Sequence, residues 1–310
     1  MKLDKSKHIA VLMGGWNSER EVSLSSGEAV FQSLIKMGYH ATKIDFSRKI
    51  FQQLQEVKPD IIFNALHGQF GEDGRIQGLL DILQIPYTHS GALASTICMD
   101  KLLTRKVCSS VGVRSPKYSI LRKNENQKNL EKIFEIGKPF VIKPVNEGSS
   151  VGVEVILPNS KFDFTNFAWQ YGDEMIIENY IAGKEIQVAI MDNKALGAIE
   201  VRPKGLFYDY NCKYTAGMTE YVMPAEISPE KYHEVLQLAQ KAHISAKCRG
   251  VSRVDFIFNN KDNGDQQFYL LEVNTHPGFT PLSLVPKIAK HVGISFEEIV
   301  EFLIENACFG

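Results

Sequence analysis

The chain has 310 residues, 44% of them hydrophobic, which is enough for two or three domains with sizeable cores. Lysine and arginine (35) nearly balance aspartate and glutamate (36) for a formal net charge of -1, so neither a nucleic-acid surface nor a charged tail is expected. The five cysteines (Cys98, Cys108, Cys212, Cys248, Cys308) are scattered, odd in number and never spaced as CxxC, which suits a reducing cytoplasm and argues against a zinc site or disulfide framework.

No apolar run approaches the ~18 residues of a membrane span, and the run IAVLM after the first lysines is too short for a signal-peptide core. His8 to Met13 reads as a buried strand, turned by Gly14-Gly15 into the polar loop WNSERE. A helix follows to about Met37, with Val22, Ala29, Val30, Leu34 and Met37 on one stripe and Gly38 as its stop. Strand Ala41 to Asp45, a helix near Ile50 to Val57 and strand Asp60 to Leu66 complete a βαβαβ alternation. That pattern implies a parallel sheet whose loops of interest follow the strands' carboxyl ends. Two of those loops carry Ser18-Glu19-Arg20 and His67-Gly68. The dinucleotide fingerprint GxGxxG is not met, because GGWNSER lacks its third glycine. Glu19 is open to a helix-dipole reading and His67 to a structural hydrogen bond. On neighbouring loops of one sheet edge, both read as walls of a polar substrate pocket.

Gly91 to Val111 reads as one helix with Asp100-Lys101 inside it, where a lone lysine is ordinarily solvated. Next come strand Tyr118 to Leu121, a helix near Gln127 to Ile136, strand Phe140 to Lys143, strand Val151 to Leu157, a helix, and strand Glu174 to Glu178. In the loop KPVNEGSSVGV the small residues Gly148, Ser149, Ser150 and Gly152 can turn backbone N–H groups toward phosphate oxygens, with Lys143 as a point charge. It is not a Walker A loop, and a plain Gly/Ser turn stays open. Glu178 and Glu185 flank an apolar hinge suited to a flat aromatic ligand; on their own they would be surface carboxylates.

Strands Ile186 to Met191 and Ala195 to Val201 open the last region. Arg202 to Pro224 shows no periodicity but holds FYDYNCKYTAG, a length of loop that is usually functional or mobile. Ser228-Pro229 starts a helix ended by Gly250, and Ser295 to Glu298 is a capping box with Ile294 stapled to Ile299. Between them lie strands Val251 to Phe258 and Phe268 to Asn274, joined by the Asn-Gly turn of NNKDNGDQQ. Period two puts Phe268, Leu270, Glu272 and Asn274 on one face of the second strand, and Arg253, Asp255 and Ile257 on one face of the first. With Asp255 opposite Glu272, one face gathers oxygen donors suited to Mg²⁺; a solvated face with an Arg253 ion pair is the alternative.

With GGWNSEREVSLSSG, ALHGQFGEDG, MDKLLTRK, KPVNEGSSVGV, FYDYNCKY, RVDF and LLEVNTHPGFTPLSLVP in order, the chain resembles the D-alanine–D-alanine ligases of the ATP-grasp superfamily over essentially its whole length. The resemblance implies an α/β fold, α+β in its C-terminal part. It would comprise an N-terminal Rossmann-like substrate domain (1–100) and the two halves of an ATP-grasp fold (101–183 and 184–310). It implies a cytoplasmic homodimer that uses ATP and Mg²⁺, expected as two ions and replaceable by Mn²⁺. The implied activity joins two D-alanines through a D-alanyl phosphate, for peptidoglycan precursor synthesis. Asp255, Glu272 and Asn274 match metal ligands. Lys101, Lys143, Lys213 and the loop Gly148 to Gly152, Val151 included, match phosphate contacts. Glu178, Asn179, Tyr180 and Ile181 match the adenine-reading hinge, Glu185 the ribose contact, and Phe207 a further ATP-binding position. Glu19, with His67 beside it, matches the first D-alanine site; Arg253 and the Gly278 N–H match the oxyanion pair, and Ser283 and Leu284 the second D-alanine site. Glu19, Ser149 and Tyr214 match a loop-closing trio, and Tyr214 favours D-alanine over D-lactate as the second substrate. Asn179 and His276 depart from the lysine and serine frequent there. The rival readings are another ATP-grasp ligase, including a D-alanyl-D-lactate maker, and a non-catalytic nucleotide-binding module.

Overall fold

The computed structural model describes residues 3–148, 150–164, 167–205, 217–260 and 265–310. The expected βαβαβ unit is present as β1 (His8–Gly14), α1 (Arg20–Lys36), β2 (His40–Phe46), α2 (Ile50–Val57) and β3 (Ile61–Asn64). Its strands pair in parallel in the order β2-β1-β3. All of β1 after His8 is buried, as an apolar central strand of a parallel sheet should be. Helix α3 (Arg75–Leu83) follows the loop after β3.

The single helix expected over Gly91 to Val111 is two, α4 (Ala92–Met99) and α5 (Lys101–Ser109). Asp100 separates them with an extended backbone, φ -87° and ψ 106°, and its carboxylate accepts from the N–H groups of Leu102 and Leu103. A short acidic side chain competes for nearby backbone donors, so it caps a helix better than it continues one. Lys101 is thereby the first residue of α5 and is buried rather than solvated.

The middle of the chain forms an antiparallel sheet, β4-β7-β5-β6, from β4 (Tyr118–Arg122), β5 (Phe140–Pro144), β6 (Glu154–Ile156) and β7 (Glu174–Asn179), with α6 (Asn126–Ile136) packed on β4 and β7. β6 is shorter than the Val151 to Leu157 expected. The missing residues form a turn in which the Val151 N–H donates to the Gly148 carbonyl at 3.0 Å, with positive φ at Ser150 (60°) and Gly152 (69°). The helix expected before β7 is not found among the described residues; Phe162, Phe164, Phe167 and Trp169 pack ring on ring there instead.

A second antiparallel sheet, β10-β9-β8-β11-β12, contains β8 (Lys184–Met191), β9 (Lys194–Pro203), β10 (Thr219–Val222), β11 (Val251–Phe258) and β12 (Phe268–Asn274). α7 (Pro229–Ser245) starts as expected, with Ser228 accepting from the Lys231 N–H and Pro229 in its first turn, but ends short of Gly250. α8 (Leu284–His291) and α9 (Phe296–Glu305) follow, and Ser295 and Glu298 complete the expected capping box.

Apolar packing joins the two ends of the chain. Ile9, Val11 and Phe63 of the parallel sheet share one core with Ala189, Ile199, Val285 and Ile304. Cys98 of α4 and Cys108 of α5 enter another with Val235, Ala239 and Phe256. The central sheet has its own core around Leu121, Phe140 and Ile177, and a small cluster of Leu102, Val145 and Ile176 lies between it and α5.

Candidate active site

The β11–β12 hairpin pairs Asp255 with Glu272 and Arg253 with Asn274, in the register inferred from the sequence. The regular alternation expected along β12 does not hold. The register shifts between Asp255 and Phe256, so that Phe256 pairs with Leu270 and Leu271 is the extra residue of a bulge. Phe268, Leu270 and Val273 therefore lie in the core with Phe256, whereas Leu271 and Glu272 both face the cleft. Phe268 and Leu270 do not share the face of Glu272, because a single inserted residue reverses the facing beyond it.

Arg253 donates two hydrogen bonds to Asp255, at 2.8 and 2.7 Å, and comes within 3.5 Å of Glu272. Asp255 is only 4% exposed, so its charge needs such a partner. Asn274 Oδ1 accepts the His276 N–H at 2.9 Å, which settles which amide atom is the oxygen. Two carboxylates and a carboxamide oxygen have the donor chemistry a hard divalent cation takes. Among the described residues no group of three or more His, Cys, Asp or Glu is arranged to hold a metal. A cation at this hairpin would thus complete its shell with Asn274, water or phosphate oxygens.

A cleft between the central sheet and the hairpin collects most of the residues expected around ATP. Lys101, Lys143, Ser150, Val151, Glu178, Asn179, Tyr180, Ile181 and Glu185 line it together with Asp255 and Glu272. Glu178 is no surface carboxylate: it is 3% exposed, accepts from Lys143 Nζ at 2.7 Å and is bonded to Arg105. Burial works to raise its pKa, but the Lys143 and Arg105 charges outweigh burial and hold it below the usual carboxylate value. Burial pushes Lys143 down to about 8, with Glu178 opposing and the Arg105 charge adding to the effect. Lys101 donates to the Glu147 carbonyl, and burial lowers its pKa in spite of Glu272. Arg105 was not singled out from MDKLLTRK; its signal is the four-residue spacing from Lys101, which puts both on one side of α5.

Gly152 does not line this cleft; a Cβ there would come within 2.5 Å of the Tyr171 ring, at a positive φ of 69°. Its backbone freedom serves packing of the turn. Gly148 lines a small cavity deeper in, with Glu19, Lys101 and Glu272.

The second main cavity lies across Glu272 and brings together Glu19, His67, Arg253, Asn274, Gly278, Ser283 and Leu284. Glu19 stands at the N-cap of α1, but its side chain makes no capping bond. It lies so close to Gly68 that a Cβ there would be 2.2 Å from Glu19 Oε2. Asn17 joins the two loops, accepting the Glu19 N–H at 2.9 Å and donating to the carbonyls of His67 (2.8 Å) and Gln69 (2.7 Å). His67 is buried, within hydrogen-bond distance of Ser26 Oγ through Nε2 (2.9 Å) and of Glu72 Oε1 (3.2 Å) and the His276 carbonyl (3.1 Å) through Nδ1. Burial tends to lower the His67 pKa, but the hydrogen bond and charge of Glu72 raise it above the ordinary histidine value. Glu72 is itself raised, chiefly by burial. Ser283 Oγ, 2.9 Å from Thr280 Oγ1, accepts the Thr280 N–H at 3.0 Å and closes the turn beside Gly278. Ser149, Phe207, Lys213 and Tyr214 lie outside the described residues. Asn17, Glu72 and Thr280 were missed, although WNSERE, GEDG and PGFT display them as polar residues in turns.

The family model for the D-ala D-ala ligase C-terminus matches residues 107–305, and that for the D-ala D-ala ligase N-terminus matches residues 46–90. The D-alanine–D-alanine ligase of Rickettsia bellii (strain RML369-C) is 46% identical over 304 residues, covering 98% of this chain and 92% of that one. That of Rhizobium meliloti (strain 1021) is 45% identical, covering 97% and 98%. Among solved structures, the Bacillus anthracis D-alanine–D-alanine ligase complexed with ATP superposes with a TM-score of 0.82 at 31% identity, covering 97% of each chain. The VanG D-Ala:D-Ser ligase from Enterococcus faecalis superposes with a TM-score of 0.81 at 28% identity, covering 97% of this chain and 99% of that one. By fold and by sequence over nearly its full length, this chain belongs to the D-alanine–D-alanine ligase family of ATP-dependent ATP-grasp ligases.

Proposed function

We propose that the protein joins two molecules of D-alanine into D-alanyl-D-alanine, converting ATP to ADP and phosphate, as a step toward peptidoglycan precursors. The observation that carries this reading is Glu272, which lines both the lysine-floored cleft and the polar pocket. A donor of phosphoryl groups on one side and an amino acid on the other would meet there.

A carboxylate is a poor electrophile, and phosphorylation supplies its leaving group. The first D-alanine, its ammonium near Glu19, presents its carboxylate oxygen to the γ-phosphorus of ATP; the bond to the β–γ bridging oxygen breaks and ADP leaves. The free amine of the second D-alanine then attacks the acyl carbon. The tetrahedral oxyanion is met by Arg253 and the Gly278 N–H, and collapse expels inorganic phosphate as the amine loses a proton. Such a sequence depends on positioning and charge neutralisation, which the lysines supply around the phosphates. Asp255, Glu272 and Asn274 would hold Mg²⁺, expected as two ions, and bound cations would offset charge on the β- and γ-phosphates. Residues 1–100, 101–183 and 184–310 are read as the three units that supply the walls, and the assembly as a cytoplasmic homodimer.

The VanG D-Ala:D-Ser ligase has the same overall fold, so fold leaves the second substrate open. Incubation with ATP, Mg²⁺, D-alanine, D-serine and D-lactate, followed by chromatography, tests the choice. D-alanyl-D-alanine should dominate at pH 7, with stoichiometric ADP. A main product carrying D-serine or D-lactate would overturn the substrate assignment, and ATP turnover without any ligated product would overturn the reaction.

A further inference from the structure

His276 sits in the turn after β12, 2% exposed, and every polar atom it has is engaged. Its ring reaches the other end of the chain: Nε2 lies 3.0 Å from Asn64 Nδ2, at the end of β3. The roles in that bond are fixed. Asn64 Oδ1 accepts the Leu66 N–H at 3.1 Å, so the amide is oriented, and Nδ2 spends one hydrogen on the Gly71 carbonyl at 3.1 Å. Its remaining hydrogen goes to His276 Nε2, which must accept. The His276 ring proton is then on Nδ1, 3.1 Å from Thr275 Oγ1.

The ring also rests on His89, centroids 4.7 Å apart, with Phe63 and Phe279 closing around His89. The main chain of His276 faces the pocket through two bonds already described. Its N–H holds the Asn274 oxygen and its carbonyl takes the His67 Nδ1–H. One residue thus ties the tip of the parallel sheet, a pocket histidine and a hairpin ligand into a single line.

We propose that His276 is a positioning residue, which locks the Thr275–Gly278 turn onto Asn64 of the parallel sheet and so sets Asn274, His67 and the Gly278 N–H in register around the D-alanine pocket. This rests on the reading of that pocket given above. The neutral ring accepts from Asn64 without bringing a charge into a buried site. A serine at this position is too short to reach both Asn64 and the His89 face, so the long tie belongs to this chain's histidine and not to the turn as such.

The test uses His276→Phe, which keeps the ring stack and removes the acceptor, and His276→Gln, whose amide oxygen can replace Nε2. In His276→Phe a buried amide hydrogen of Asn64 loses its partner. We expect kcat/KM for D-alanine to fall roughly ten- to hundredfold, while affinity for ATP measured without Mg²⁺ stays within about twofold, because no residue of the turn lines the ATP cleft. His276→Gln should recover most of the loss. Hydrogen–deuterium exchange of residues 275–279 should quicken in His276→Phe and return toward wild type in His276→Gln, whatever the product turns out to be. Unchanged exchange at the turn, an equal fall in ATP and D-alanine parameters, or a glutamine variant no better than phenylalanine would each overturn the proposal. Failure of the wild type to make a D-alanine dipeptide would overturn the proposed function alone, since exchange still reads the tie.

Discussion

Lys143 shows what burial does to a charge proposed to hold phosphate. Its pKa is pushed down to about 8 from 10.5, burial being the largest cause. Between those values the unfolded chain binds more protons than the folded one, so this lysine's contribution to stability rises with pH there. A triphosphate reverses the preference, because it stabilises the ammonium. ATP affinity should therefore be nearly flat below pH ~8 and weaken by up to about tenfold per pH unit above it. Lys143→Arg, whose guanidinium keeps its proton, should flatten that profile. Isothermal titration across the range is the measurement, and a wild-type profile without a bend would remove Lys143 from the phosphates. Glu272 invites a simpler experiment. Glu272→Gln keeps the shape and removes the charge, and should cost at least ~10²-fold in turnover with an unchanged circular dichroism spectrum. Near-normal activity at ordinary Mg²⁺ would sink its assignment as a ligand.

At the scale of elements, the bulge and the cap carry the site. Deleting Leu271 should restore regular pairing with Glu272 still opposite Asp255 on the cleft face, because Leu270 already pairs with Phe256 in the core. The deletion should therefore leave the hairpin folded with little change in Tm, but remove the local bend of the bulge and lower turnover by displacing Glu272, whereas Leu271→Ala, which keeps the bulge, should leave turnover nearly unchanged. Asp100→Ala removes the acceptor for two N–H groups at the start of α5. It should cost ~1 kcal/mol in denaturant unfolding and weaken ATP binding, since Lys101 is the next residue. These same features mark the limit of what the sequence reveals. The Asp255–Glu272 register was legible, because only that register gathers the polar residues on one side. The bulge was not, since an extra leucine in an apolar strand changes no composition. Asp100 was visible as an acid before an apolar stripe, yet continuous apolar spacing through Gly91 to Val111 favoured one helix. β10 is too short for alternation to show, and Arg105 looked like any other helix charge until the fold placed Glu178 beside it.

At the scale of the whole molecule, the shared core makes the parallel sheet and the C-terminal sheet one solid body. The central sheet keeps a separate core, with a small apolar cluster beside α5. Differential scanning calorimetry should accordingly resolve two transitions. The one belonging to the central sheet should shift upward with a non-hydrolysable ATP analogue, by ~2.7 kcal/mol at a hundredfold excess over Kd. A single transition that moves as a whole would contradict this division. No helix among the described residues is long and apolar enough to cross a membrane.

Glu272, standing on both cavities, also bears on time. An acyl phosphate is short-lived in water, and one made at a shared wall has no distance to travel before it meets its amine. Its competitor is any water that reaches that wall first. The yield of dipeptide per ATP is then a race between aminolysis and hydrolysis, decided by how well the two cavities keep water from Glu272 rather than by how tightly the enzyme holds either amino acid.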